Sequence, residues 1–268
     1  MLKDITLGQY FPGHSVIHRL DPRTKLTMLV VYIVALFLAE SWISYGVMFL
    51  FLSVVIVLST IPPKSILRGM KPLVMILIFT GVLNLFFTQE GTVIFRFWIL
   101  TATTGGLSRA LLMMSRILML ISGTFLLTYT TSPIALTDGL EALMNPLKKV
   151  GVPVHELSMM MCIALRFIPT LIEETDKIMS AQKARGADFE SGSLTDRAKA
   201  LIPILVPLFI SAFRRADELA TAMECRCYQG GEGRTKMKML RYHREDVLSY
   251  CTGAILLGII ILLKTFGL

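Results

Sequence analysis

The chain has 268 residues, 54% of them hydrophobic and 17% charged, with a mean hydropathy of +0.65. A soluble domain carries roughly 25% charged residues, so composition excludes a soluble fold, and it excludes disorder, which needs low hydrophobicity. The apolar residues form unbroken runs without period-2 alternation, which excludes an outer-membrane barrel and leaves an all-α polytopic membrane protein.

Residues 1–25 include Lys3, Asp4, Pro12 and Asp21 but no apolar core, so no cleavable signal is read there. A bilayer needs about 20 apolar residues per helix, with a range of roughly 17–25. Uncharged runs of 23, 18, 21 and 17 residues lie between Glu40 and Lys64, Lys71 and Glu90, Arg116 and Asp138, and Asp246 and Lys264. A shorter run of 14 follows Lys25. It reads as a further crossing, because Lys25 can snorkel and the helix can extend to Trp42. The spacing predicts a hairpin turning near Glu40–Ser44 and about five transmembrane helices in all.

Charge sets the orientation. The net +8 reads as topogenic and not as a nucleic-acid footprint. Residues 1–25 hold four Lys/Arg and the loop at 61–72 holds three, whereas the turn at 40–44 holds none. The N-terminus is therefore expected on the cytoplasmic side of the cell membrane. Within the fourth span, Arg109 and Arg116 are seven apart and share a helix face. Arg116 lies deeper. It reads as a snorkelling or structurally paired group, or else as a gating or partner contact.

The stretch 132–246 holds 16 Lys/Arg and is too charged for ordinary spans. Ser132–Pro133 opens a helix that Asn145–Pro146 stops, and Gly151–Val152–Pro153 breaks the chain again. From Val154 to Lys183, apolar residues recur at three- and four-residue spacing. Gly186 ends that helix. A third apolar stretch, Leu201–Phe213, runs on into a charged helix ending near Arg226. If 154–172 and 201–213 crossed as a pair, the basic stretch between them would lie outside, against the positive-inside bias. They are read instead as long amphipathic helices on the inner face. Residues 1–131, 132–246 and 247–268 thus read as an N-terminal segment with four crossings, cytoplasmic-face helices, and a last crossing.

Catalytic chemistry finds no foothold in the sequence. There is no Gly-x-x-x-x-Gly-Lys-Ser/Thr, no His-Glu-x-x-His and no Gly-x-Ser-x-Gly. Cys162, Cys225, Cys227 and Cys251 form no disulfide framework. Glu173, Glu174 and Asp176 read as a solvated helix face. No cofactor or metal is expected. A stand-alone secondary transporter or channel would need ionisable residues at mid-membrane, and the spans offer almost none.

The most informative constellation is a pair. Ala184-Arg185-Gly186 ends one cytoplasmic helix, and Cys225-Arg226-Cys227 ends the next. Small neighbours leave each guanidinium clear to enter a groove on another protein, and its planar fork of five donors suits that role. An isolated helix-ending arginine is also an ordinary dipole complement.

These motifs, with Gly8-Gln9-Tyr10-Phe11-Pro12-Gly13, His18-Arg19-Leu20-Asp21-Pro22-Arg23-Thr24-Lys25 and Leu165-Arg166-Phe167-Ile168-Pro169, carry a resemblance along essentially the whole chain. The sequence resembles the transmembrane T component of energy-coupling factor (ECF) vitamin transporters. The resemblance implies two ABC-type ATPase subunits docked beneath the chain, each receiving one helix-end arginine. It also implies a separate vitamin-binding S component, and ATP bound only by the partners. It makes Ala184, Arg185, Gly186, Cys225, Arg226 and Cys227 the partner-binding residues of a non-catalytic coupling subunit. The second motif departs from the family's Ala-Arg-Gly by placing cysteines on both sides of Arg226. Glycine tolerates the left-handed turn that such a helix end needs and cysteine does not.

Overall fold

The computed structural model describes residues 10–88, 92–97, 100–187, 189, 193–231 and 239–266. They fall into two compact units, 10–143 with 239–266, and 144–231. The fold is all-α, as the composition requires of a polytopic membrane protein, with one short β-hairpin added.

In the first unit, α1 (Val16–Arg19) precedes α2 (Pro22–Leu38). The Asp21 carboxylate caps α2 by accepting the Arg23 N–H at 2.9 Å, and Pro22 opens the helix. The turn at 39–41 leads into α3 (Trp42–Ser59), capped by Ser41. The expected loop at 61–72 is instead mostly helical. It holds α4 (Pro63–Met70) and a 3-10 turn at Lys71–Leu73 that runs on into α5 (Val74–Phe87). An antiparallel hairpin, β1 (Val93–Phe97) and β2 (Leu100–Thr103), follows. Then come α6 (Thr104–Thr130), α7 (Pro133–Met144) and, at the end of the chain, α10 (Arg244–Thr265). Helix α6 begins at Thr104, so it includes Arg109 and Arg116, as expected of the fourth span, ahead of its 21-residue uncharged run.

Four of the expected crossings coincide with helices long and apolar enough to span a bilayer: α3, α4–α5, α6 and α10. The fifth, α2, has 17 helical residues, about 26 Å at 1.5 Å per residue. Tyr32, Leu36, Met48, Met119 and Ile260 form a core among α2, α3, α6 and α10. Small residues allow the close approach. A Cβ on Gly123 would lie 2.8 Å from Tyr32 Cε1. Outward-facing Val30, Phe49, Val57, Met75, Phe79 and Leu262 are exposed, as lipid-facing side chains are.

Both ends of this bundle are closed by polar clasps. At one end Asp21 N–H donates to Asp246 Oδ1 at 2.9 Å, and His243 N–H donates to Asp246 Oδ2 at 2.7 Å. Asp246 is fully buried. The Lys25 ammonium donates to Thr130 O (2.9 Å), Thr131 Oγ1 (3.2 Å) and His18 O (3.3 Å). These bonds tie the starts of α2 and α10 to the end of α6. At the other end Arg116 Nη2 donates to Ala39 O at 2.9 Å, and its guanidinium lies over the Phe37 and Tyr45 rings. Arg116 thus caps the C-terminus of α2, where a cation complements the dipole. Nearby, Lys264 Nζ donates to Glu40 Oε1 at 2.6 Å and holds that carboxyl below its usual range.

The second unit holds a 3-10 turn at Asn145–Val150, Gly151 in the left-handed region, and two long helices, α8 (Val154–Ala184) and α9 (Leu194–Cys225). Pro169 lies inside α8, and Pro203 and Pro207 inside α9. By length and composition α8 is also long and apolar enough to cross a bilayer. Most of its apolar residues precede Glu173; beyond it, Ile178 and Met179 alternate with the charged Glu174, Asp176, Lys177 and Lys183.

Candidate functional site

The two helix ends singled out by sequence have the same backbone. At the end of α8, Arg185 is the C-cap, and Gly186 takes φ +88°. Gly186 N–H donates to Lys183 O and Ala187 N–H donates to Gln182 O, both at 3.0 Å. This is a Schellman closure, which satisfies the last carbonyls of a helix through one left-handed residue. At the end of α9, Arg226 stands at the same position. Cys227 N–H donates to Glu224 O at 2.8 Å and Tyr228 N–H donates to Met223 O at 3.1 Å. Cys227 takes φ +55°. The departure from glycine therefore does not change the turn. It places a Cβ where the left-handed conformation costs roughly 1–2 kcal/mol.

Ala184, Arg185 and Gly186 are exposed, and so are Cys225, Arg226 and Cys227. Among the described residues, neither guanidinium has a hydrogen bond or an ion pair. A Cβ on Gly186 would meet nothing within 4 Å. Glycine is needed there for its φ, not for room. Both thiols of the second end are free and exposed.

A polar contact joins the helices that carry these ends. Arg215 Nη2 donates to Glu174 Oε2 at 2.9 Å, and Ser211 Oγ donates to Glu174 Oε1. Glu174 is therefore not part of a solvated acidic face. Past Cys227 the chain returns toward the start of α8, where a Cβ on Gly231 would sit 2.5 Å from His155 Cδ2. The helices thus run in opposing senses. Arg185 lies about three helical turns beyond Glu174, and Arg226 about three turns beyond Arg215. Each arginine is thus about 17 Å from the crossing, on opposite sides of it, so the two are on the order of 30 Å apart.

One face of α9 is unpartnered within its unit. Leu201, Leu205, Phe209 and Phe213, with Ile202, Val206 and Ile210 beside them, are all exposed. Their spacing of four draws a single apolar stripe. Sequence reading identified the stretch but not its exposure. Met160 and Met161 on α8 are likewise exposed. Among the described residues no group of three or more His, Cys, Asp or Glu is placed to hold a metal ion.

A family model described as CbiQ, cobalt transport protein, matches residues 13–237. Curated relatives carry a more specific name, energy-coupling factor transporter transmembrane protein EcfT. The chain is 54% identical to the one from Ruminiclostridium cellulolyticum over 248 residues, 92% of each chain. It is 55% identical to that of Thermosediminibacter oceani over 258 residues, covering 96% of this chain and 97% of the relative. The EcfT of Bacillus subtilis is 50% identical over 246 residues, 92% of this chain and 93% of that one. Half the residues are thus shared along nearly the full length of each relative, and the chain belongs to the EcfT family, the transmembrane components of energy-coupling factor transporters.

Proposed function

We propose that this chain is the non-catalytic coupling subunit of an ECF-type ABC importer, seated in the cell membrane with its N-terminus in the cytoplasm. Two ABC-type ATPase subunits dock on the unit formed by residues 144–231. Ala184-Arg185-Gly186 binds one and Cys225-Arg226-Cys227 the other. The chain carries no cofactor of its own; ATP belongs to the partners. A vitamin-binding S component contacts the apolar stripe of α9, and movement of the ATPases reaches it through α8 and α9.

The observation that carries this reading is the duplicated helix end. One exposed arginine at a helix C-cap is ordinary. Two in the same Schellman geometry, roughly 30 Å apart on opposite sides of a crossing, supply one prong to each of two partners. A guanidinium buried in such a partner would make charge-assisted, bidentate hydrogen bonds. The apolar stripe and the exposed methionines suit a membrane-embedded partner, and methionine adapts to differently shaped surfaces.

The test is recovery of partners on a tagged chain. Purification in mild detergent should bring down two ATPase subunits, and the complex in liposomes should take up vitamin only with ATP. The chain purified alone should neither hydrolyse ATP nor transport. Hydrolysis by a preparation free of other subunits would reject the reading.

A further inference from the structure

We infer that Glu174, Arg215 and Ser211 form a register pin that fixes where α8 crosses α9 and so sets the span between the two arginine-bearing helix ends. This rests on the coupling role proposed above and adds to it a set of positioning residues that touch no partner.

The shielded positions of α9 include Ile204, Leu208, Ser211, Arg215, Leu219 and Met223. Those of α8 include Ile163, Phe167, Leu171, Glu174 and Ile178. Both rows follow a three- and four-residue rhythm, so each is one helix face. Near the middle of each row the apolar pattern breaks. Glu174 interrupts one, and Ser211 with Arg215 interrupts the other. The breaks meet, with the Arg215 guanidinium on one carboxylate oxygen and the Ser211 hydroxyl on the other. Both oxygens of Glu174 are used. The side chains are 22% and 38% exposed for Glu174 and Arg215, so neither is freely solvated.

Such a contact adds little net stability, because desolvation offsets the attraction. Its effect is on register. Two apolar faces can slide by one turn at small cost, since one aliphatic side chain replaces another. A one-turn slip here would set Glu174 between Leu208 and Ser211 or between Arg215 and Leu219, and leave one of its two carboxylate oxygens without its partner. A polar pair inside an apolar seam specifies alignment in this way. Because each arginine ends an arm of equal length beyond the pin, any slip or rotation at the crossing is carried along both arms to the helix ends.

The pin can be read without any partner. Spin labels at Ala181→Cys and Ala222→Cys, in a full-length chain with Cys162→Ala, Cys225→Ala, Cys227→Gly and Cys251→Ala, report the span between the helix ends. A narrow distance distribution is expected. Glu174→Gln and Arg215→Gln should each broaden or shift it. The swapped pair, Glu174→Arg with Arg215→Glu, should restore it. In the assembled transporter each single change should lower vitamin uptake per ATP hydrolysed by about fivefold, with ATPase recovery retained, and the swap should recover most of it. An unchanged distribution in both single variants would overturn the pin, and so would a swap that fails to restore it. If the wild-type chain recovers no ATPase at all, the coupling reading fails, while the distance measurement still decides the pin.

Discussion

The ends of α8 and α9 reach one geometry from different residues. Both close with two backbone hydrogen bonds around a left-handed residue, and both leave an arginine exposed at the C-cap. At α8 the left-handed residue is Gly186, which accepts that backbone freely. At α9 it is Cys227, which does not. The comparison teaches that the arginine and the closure are the shared elements, and that glycine is one means of obtaining the closure. A residue that bears the strain marks a position where the surrounding hydrogen bonds over-determine the backbone.

The largest effect should come from removing both arginines. Arg185→Ala with Arg226→Ala should abolish recovery of ATPase subunits on a tagged chain. Recovery and uptake near wild type would reduce both residues to ordinary helix caps. Each single change tests whether the ends are equivalent. Truncating one partner of a buried, hydrogen-bonded charge pair costs about 2–5 kcal/mol, although the rest of the interface can mask part of it. Lysine at either position should rescue only in part, since it keeps the charge and loses the planar fork. A loss confined to one end would show that the two partners grip unequally.

A third measurement uses the cysteines that only one end possesses. Cys225 and Cys227 should react readily with a maleimide in the isolated chain, because both are exposed. Assembly with the ATPases should protect them. Equal labelling in the free and assembled states would place the docking surface elsewhere. The smallest effect, and the sharpest on the comparison itself, comes from exchanging the turn residues. Gly186→Ala should destabilise the helix end by roughly 1–2 kcal/mol, and Cys227→Gly should stabilise the other end by a similar amount. Thermal unfolding in detergent reads both. Uptake should survive Cys227→Gly, because Gly186 holds the equivalent position at the other end with the same closure.

Much of the helical framework was legible in the residues. Asp21-Pro22 marks the start of α2, Ser132-Pro133 that of α7, and Gly186 the end of α8, and the helices begin or end there. The hairpin at 93–103 was not foreseen. The inclusion of two arginines near the start of the fourth span was foreseen, and α6 begins at Thr104, ahead of both. Arg109 and Arg116 both lie inside that helix. At the site, the positions of Arg185 and Arg226 were legible from motif and spacing. The retention of the turn at Cys227 was not, because steric preference alone argues against it.

The sequence by itself determined the membrane-spanning class, the breaks between helices and the place of the two arginines. Each is a local property, set by hydropathy over one window or by a cap within a single turn. Only the tertiary structure decided which buried and half-buried polar groups are tolerated and what they do. Asp246 receives the Asp21 N–H from 225 residues away, Arg116 finds the Ala39 carbonyl 77 away, and Glu174 finds Arg215 41 away. A buried charge is stable only where packing brings it a partner. That partner is chosen by which helices lie side by side, and spacing along the chain carries no record of the choice.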